Sequence, residues 1–318
     1  MSTSVPPSTE DSAQQHPPEQ VVLSNGGMAQ LVPRDGGWSL EINSARQSHL
    51  GPAGAPPALA AVRWMHAALG AHPPARSAHL GGGLLTLPRA IAHDRPGAEQ
   101  VVVELEPALV ALAEDRFGLP DGVTVRCEDA RTWLESPSRS DLDAIVIDIF
   151  TADRVPPAFT SVECFRAAYG ALSDRGRLVI NSVAGPDLEF TRRELATLHE
   201  VFAHVAMIVQ GSSLHGLRFG NAILVGSKVP LDTETIRARL KGDESRPALV
   251  TEVDPIIDGA APVTDADQLW SPEPRMPKFD DALKALDAVQ QMKKQVEALR
   301  DEARAAVESD PAERDRQP

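Results

Sequence analysis

The sequence predicts an α/β fold built on a doubly wound, mostly parallel sheet of seven strands, and three observations carry the prediction. Short apolar runs recur at residues 78–80, 101–105, 123–127, 144–147, 178–180, 205–209 and 222–225. Such unbroken runs are the pattern of strands covered on both faces. Stretches of helical periodicity separate most of them. Alternation of the two implies right-handed crossovers and a parallel sheet with helices on each side. The expected architecture is Rossmann-like, with a small N-terminal β element before the sheet and a helix after it.

The elements follow in order. Residues 1–20 hold no Lys, Arg or aromatic residue and almost no aliphatic one; they cannot bury enough surface to offset the entropy of ordering, so a disordered tail is expected. In residues 21–50, Trp38, Leu40 and Ile42 alternate within a Gly-punctuated stretch, which predicts one or two small strands. The cluster GPAGAPP at 51–57 breaks regular structure and marks the start of the main domain, residues 51–230. Leu59, Val62, Met65 and Leu69 then recur at helical spacing. Pro107 suits the first position of a helix over 107–117, with Leu109, Leu112 and Ala113 on one face. Further helices are expected at 161–172 and 188–202. A Gly-rich connection at 211–220 leaves no room for a long helix, so the last two strands are expected to pair antiparallel. Residues 231–276 are acidic and Pro-rich and read as loop with one helix near 234–240. In 277–318, Ala282, Ala285, Val289, Met292, Val296, Leu299, Ala303 and Ala306 alternate at spacings of three and four. That helical seam suits joining two chains as a homodimer about as well as packing on its own domain or staying disordered.

Composition narrows the function. The chain of 318 residues carries 45 acidic against 31 basic residues, a formal charge of −14, and its aromatic share is 4%. The charge opposes phosphate backbones and anionic membranes, and the aromatic poverty argues against stacked bases, so nucleic acid is not an expected partner. A small cationic substrate is electrostatically welcome. No run of about 18 apolar residues marks a membrane span and the amino terminus lacks the pattern of a signal peptide, which predicts a cytoplasmic protein. The two cysteines, Cys127 and Cys164, fall in a predicted strand and helix and read as small buried hydrophobes. The nine histidines lack metal-motif spacing and read as surface or capping residues, so no metal is expected. Ser182 has no nucleophile-elbow sequence around it.

In an open parallel sheet, ligands bind beyond the carboxyl ends of the strands. Four successive strand ends carry Gly81-Gly82-Gly83, Glu104, Asp129 and Asp148. Singly these are a tight turn, a turn acid and a helix cap. Together they predict a nucleoside site: glycines allow close backbone approach, and an acid after the second strand accepts both ribose hydroxyls. A pyrophosphate fits poorly, because Thr86 occupies the place of the third glycine of G-x-G-x-x-G and no P-loop lysine follows. Three acids around the pocket favour a nucleoside with a positive centre, and an S-adenosyl sulfonium has that character.

The run HLGGGLLTLPRAIAHDRPGAEQVVVELEP, then CEDA, then AIVIDIFTADRVP resembles the nucleotide-binding core of spermidine synthases and their bacterial relatives. Those are aminopropyltransferases on the class I S-adenosylmethionine-dependent methyltransferase fold. The resemblance spans roughly residues 35–228, with WSLEINSARQSHL similar to a shortened substrate-side β element. It implies that Gly81, Gly82 and Gly83 lie under the nucleoside, Glu104 on the ribose, Asp129 and Ala130 at the adenine edge and Gln47 near the methionine-derived tail. It also implies that Asp148 opens the catalytic loop and takes a proton from the acceptor amine. The family's second loop acid is matched by Thr151, with Asp153 the nearest substitute for holding a diamine. Leu84 stands where the family's GGGDGG loop has its acid, and the single tyrosine, Tyr169, falls in a predicted helix. The implied activity is transfer of an aminopropyl group from decarboxylated S-adenosylmethionine to a polyamine such as putrescine, in polyamine biosynthesis. These departures keep two alternatives open: a methyltransferase using S-adenosylmethionine itself, and a nucleoside-binding protein without catalysis.

Overall fold

The computed structural model describes residues 18–42, 45–136, 141–185, 187–216 and 218–274. Of the tail predicted over residues 1–20, residues 1–17 lie outside the described residues, as does the seam at 282–306, and its last residues are corrected: Glu19 and Gln20 are ordered by strand pairing with Leu31 and Gln30. The N-terminal element holds four strands where the sequence suggested one or two: β1 (Glu19–Val22), β2 (Met28–Arg34), β3 (Gly37–Ile42) and β4 (Ala45–Leu50), antiparallel and in that order. A two-residue turn at Asp35-Gly36 joins β2 to β3, both residues at positive φ as tight hairpins require. β4 reads ARQSHL and carries almost no apolar signal of its own. Its pairing with β3, Trp38 opposite Leu50, makes it a strand.

The main domain runs α1 (Ala60–Ala68), β5 (Arg76–Leu80), α2 (Thr86–Asp94), β6 (Glu99–Glu104), α3 (Pro107–Ala111), β7 (Val123–Cys127), α4 (Ala130–Leu134), β8 (Leu142–Ile147), α5 (Val162–Ala171), β9 (Leu172–Ala184), α6 (Glu189–Val201), β10 (His204–Gln210), α7 (Gly211–Leu214), β11 (Gly220–Ser227), α8 (Thr233–Leu240), β12 (Pro247–Val250) and α9 (Asp254–Ile257). Helix α3 continues into one π turn over Leu112–Arg116. The sheet order is β12-β10-β11-β9-β8-β5-β6-β7. Strands β5 to β9 are parallel, and β11 is antiparallel to both β9 and β10.

The seven-stranded expectation is corrected to eight strands among the described residues. The extra one is β12, which pairs antiparallel with β10 at the sheet edge. It is four residues long and starts with a proline, which an edge tolerates, so it leaves no periodic trace within the Pro-rich segment.

Alternating side chains build a core on each face. Ile145 and Ile147 of β8 join Leu178, Ile180, Phe165 and Leu195 under α5 and α6. Ala144 and Val146 join Val179, Met65 and Ile91 under α1 and α2. A third cluster fastens the N-terminal sheet to the domain: Ala29, Leu31 and Leu40 pack on Leu84, Leu109 and Leu112. Each leucine fully buried in it contributes about 2 kcal/mol.

Several single-residue expectations change. Cys127 is exposed at the end of the edge strand β7, whereas Cys164 is buried, which pushes its thiol up to about 12. His49 and His79 are buried rather than on the surface. His79 lies between Ser77 and Gln100, and burial lowers it to about 4, so it is neutral. Ser182 lies within β9 and donates to Glu194 of α6, a fully buried carboxyl that burial raises to about 8. Among the described residues no helix is long and apolar enough to cross a membrane.

Candidate nucleoside-binding site

The turn after β5 is framed by backbone. Gly81 N donates to Val103 O at 2.9 Å and Asp148 N to Leu80 O at 2.8 Å, so the ends of β6, β5 and β8 are tied together. Gly81 has φ +98°, and a Cβ there would fall 2.1 Å from Asp148 O. Only glycine fits. The next amide, Gly82 N, donates to Glu104 Oε2 at 2.8 Å, and Glu106 N donates to Glu104 Oε1 at 3.0 Å. Two backbone amides thus fix the orientation of the Glu104 carboxylate. A carboxylate accepts about four hydrogen bonds, so each oxygen keeps capacity for a hydroxyl.

Strand β4 rests on the same turn. Ser48 Oγ accepts from Leu84 N at 3.2 Å and lies 3.2 Å from Thr86 Oγ1, which donates to His49 O at 2.8 Å. Because the threonine proton goes to His49 O, the Ser48 hydroxyl is the donor to Thr86. Sequence reasoning passed over Ser48; no local signal marks a serine in a polar edge strand. Leu84 is fully buried in the third apolar cluster. Its side chain joins the N-terminal sheet to the domain, and the turn presents no acid at that position.

Asp148 follows β8 directly. Its Oδ1 accepts from Asn181 Nδ2 at 2.8 Å, and Asn181 Oδ1 accepts from Asn221 Nδ2 at 3.0 Å. Burial raises the Asp148 carboxyl above the usual range, and the Asn181 hydrogen bond opposes that rise. Both asparagines were missed. Asn181 is the polar residue that follows the apolar run 178–180, the same signal that marked Glu104 and Asp148. Asn221 precedes its run because β11 is antiparallel, which places the start of that strand at this edge.

Three residues later the chain makes a tight turn, with Thr151 N donating to Arg154 O at 2.8 Å and Arg154 N to Thr151 O at 3.1 Å. Ala152 and Asp153 occupy the left-handed region, at φ 49° and 62°, a strain of about 1 kcal/mol or more for the alanine. The turn aims Asp153 at β4, where Gln47 Nε2 donates to Asp153 Oδ1 at 2.8 Å. Gln47 and Asp153, two residues singled out separately, are therefore in contact. Thr151 is exposed. Arg154 stacks over Trp270 at 5.2 Å and donates to Ser271 O at 2.6 Å. Residues 263–273 thus strap the loop: Val155 N donates to Ser271 Oγ, and Asp265 takes two hydrogen bonds from Arg131 of α4.

Asp129 makes a different contact. Its Oδ1 accepts from Thr132 N at 2.7 Å and caps α4, of which Ala130 is the first, buried residue. Tyr169 lies on α5 with its ring edge against Phe202 at 5.2 Å, in the helix layer. An open cleft elsewhere, between the β2–β3 turn, α1 and α8, is lined by Arg46, Arg63 and Arg239. Those cations are engaged by Asp35, Asp243 and Gly70 O. Among the described residues no group of three His, Cys, Asp or Glu side chains is placed to hold a metal ion.

A probable spermidine synthase from Corynebacterium glutamicum superposes on 83% of this chain and 100% of its own, with a TM-score of 0.74 and 29% sequence identity. The chain has the class I methyltransferase fold. A spermidine synthase in complex with the transition-state analogue AdoDATO shares it at a TM-score of 0.51 and 12% identity, over 69% of this chain and 75% of its own. Two curated proteins are similar in sequence. An N-terminal histidine N-methyltransferase of Emericella nidulans is 30% identical over 128 residues, 39% of this chain and 22% of that protein. An eEF1A lysine and N-terminal methyltransferase of Danio rerio is 32% identical over 134 residues, 39% of this chain and 19% of that protein. The matched segments thus span about a fifth of the curated relatives' length. No protein-family model matches the sequence.

Proposed function

We propose that the protein is a transferase that binds an S-adenosyl sulfonium nucleoside at Gly81–Gly83 and Glu104, and that it passes the aminopropyl group of the decarboxylated nucleoside to a polyamine such as putrescine. The observation that carries the reading is the Glu104 carboxylate, held by the Gly82 and Glu106 amides beside a turn that only glycine can make. Two further acceptor positions on that carboxylate suit a pair of ribose hydroxyls. Asp129 and Ala130 border the adenine edge, the cap using one Asp129 oxygen.

In the transfer, the amine nitrogen's lone pair attacks the methylene beside the sulfonium. A C–N bond forms, and the C–S bond breaks with its electron pair going to sulfur, which leaves as a neutral thioether. The proton shed by the nitrogen goes to Asp148. Positioning supplies most of the acceleration and proton acceptance a smaller part. Gln47 ties β4 to the loop, and Asp153 is the acid for the far ammonium of the diamine. In this reading the protein serves polyamine biosynthesis in the cytoplasm.

One observation favours methyl transfer from S-adenosylmethionine as the second reading. Leu84 is packed into the N-terminal cluster, so the glycine turn offers no acid to hold an amino-terminated donor tail. The two curated similarities are to methyltransferases. Calorimetry with S-adenosylmethionine, its decarboxylated form and methylthioadenosine separates the two. The first reading expects preference for the decarboxylated donor, and methylthioadenosine released on incubation with that donor and putrescine. Preference for S-adenosylmethionine with no methylthioadenosine released overturns it in favour of the second, and binding of no nucleoside overturns both.

A further inference from the structure

We infer that Asn181 and Asn221 form a positioning relay that fixes the carboxyl of Asp148 from the antiparallel side of the sheet. The inference rests on the reading of Asp148 as proton acceptor only for its consequence, not for its geometry. Ile147 of β8 pairs with Ile180 of β9, so Asp148 and Asn181 are the next residues of the same parallel row. Asn221 lies opposite Val183 in β11 and two residues from Ile223, the partner of Asn181, so it shares the face of Asn181. The chain Asp148 Oδ1, Asn181 Nδ2, Asn181 Oδ1, Asn221 Nδ2 closes at 2.8 and 3.0 Å.

Donor and acceptor chemistry gives this chain a direction. A carboxylate only accepts, so the Asn181 amide must turn its NH₂ to Asp148 and its oxygen away. That oxygen then requires a donor, and Asn221 provides it. Without Asn221 the Asn181 amide loses the bond that keeps it from rotating. Hydrogen bonds in such a chain polarise one another, so the second amide strengthens the first bond. The start of β11 is itself fixed, because Gly220 packs against Ser213 so closely that a Cβ would come 2.7 Å from the serine oxygen.

The relay is neutral, and that suits an acid that must exchange a proton. A lysine or arginine beside Asp148 would hold it ionised. The two flanking strands present Gly81 and Asn181 to it. Glu104 stands one strand farther, at the end of β6, and Asp129 beyond that, after β7. In its own loop Asp153 is bonded to Gln47 and Arg154 is stacked on Trp270. Amide donors fix the oxygen without committing the proton.

The test is NMR on the full chain with labelled aspartate carboxyls and asparagine side-chain amides, without nucleoside. In the wild type the amide resonances of both Asn181 and Asn221 are expected to move with the Asp148 midpoint as pH is varied. Asn181→Ala is expected to raise that midpoint by about one unit, and Asn221→Ala by about half a unit. An Asn221 amide that ignores the Asp148 titration overturns the relay, and this measurement needs no variant to fold. So does a folded Asn221→Ala protein with an unchanged midpoint. Loss of the proposed function would show as absent nucleoside binding and would leave these titrations untouched.

Discussion

Two residues separate the roles within the site. At Gly81 the constraint is steric, since a methyl group would collide with the Asp148 carbonyl in a conformation alanine disfavours. Gly81→Ala is expected to lower stability by about 3 kcal/mol, measured by urea unfolding, because backbone atoms at a strand end cannot move aside cheaply. At Glu104 the constraint is chemical. Glu104→Gln turns an NH₂ toward one of the two amides that the carboxylate satisfies, and removes the charge from the ribose acceptor. Nucleoside affinity should fall by about 10- to 100-fold in calorimetry, while the fold is retained. An affinity within twofold of wild type would remove Glu104 from the site.

Among elements, the strap at residues 263–273 and strand β4 act on the same loop from different sides. The strap holds residues 154–155 through Ser271 and Trp270 and is itself anchored to α4 by the Arg131–Asp265 pair, and β4 holds Asp153 through Gln47. The turn at Ala152-Asp153 is strained, so it persists only while these contacts over-determine it. Truncation after residue 262 is expected to make residues 151–155 markedly more susceptible to limited proteolysis than truncation after residue 274, which keeps the strap. Equal susceptibility would show that the loop holds its shape alone. Both elements were hard to see in the sequence for one reason: β4 and the strap are polar or Pro-rich, and their structure comes from partners rather than from their own composition, β3 for β4 and residues 154–155 for the strap. The apolar strands and their helices were legible because burial on two faces leaves a local composition signal.

For the whole molecule, two buried groups shape stability against pH with opposite signs. Glu194 is raised from 4.5 to about 8, so the folded state holds an extra proton between those values and stability falls as pH rises through them. His79 is lowered from 6.5 to about 4, so the unfolded state holds the extra proton there and stability rises with pH over that interval. Each contributes a slope of about 1.4 kcal/mol per pH unit while its two states differ. Between pH 4.5 and 6.5 these two oppose each other, and from 6.5 to 8 the Glu194 decline continues without the His79 rise. The Tm should therefore fall from pH 6.5 to 8, and Glu194→Gln should remove most of that fall. A Tm that rises from pH 6.5 to 8 would contradict this account.

What the sequence determined by itself is the parallel core with its strand ends. Runs such as 144–147 and 178–180 declare strands buried on both faces, and topology then puts the glycine turn, Glu104 and Asp148 on one edge. The charge of −14 belongs to the same tier. The tertiary structure decided which of those residues touch. Asn181 meets Asn221 across 40 residues and Gln47 meets Asp153 across 106. Leu84 turns into the N-terminal cluster. Such pairings depend on register between strands, and a shift of one residue reverses which face a side chain occupies. Local composition carries no record of register, so only the folded sheet could settle them.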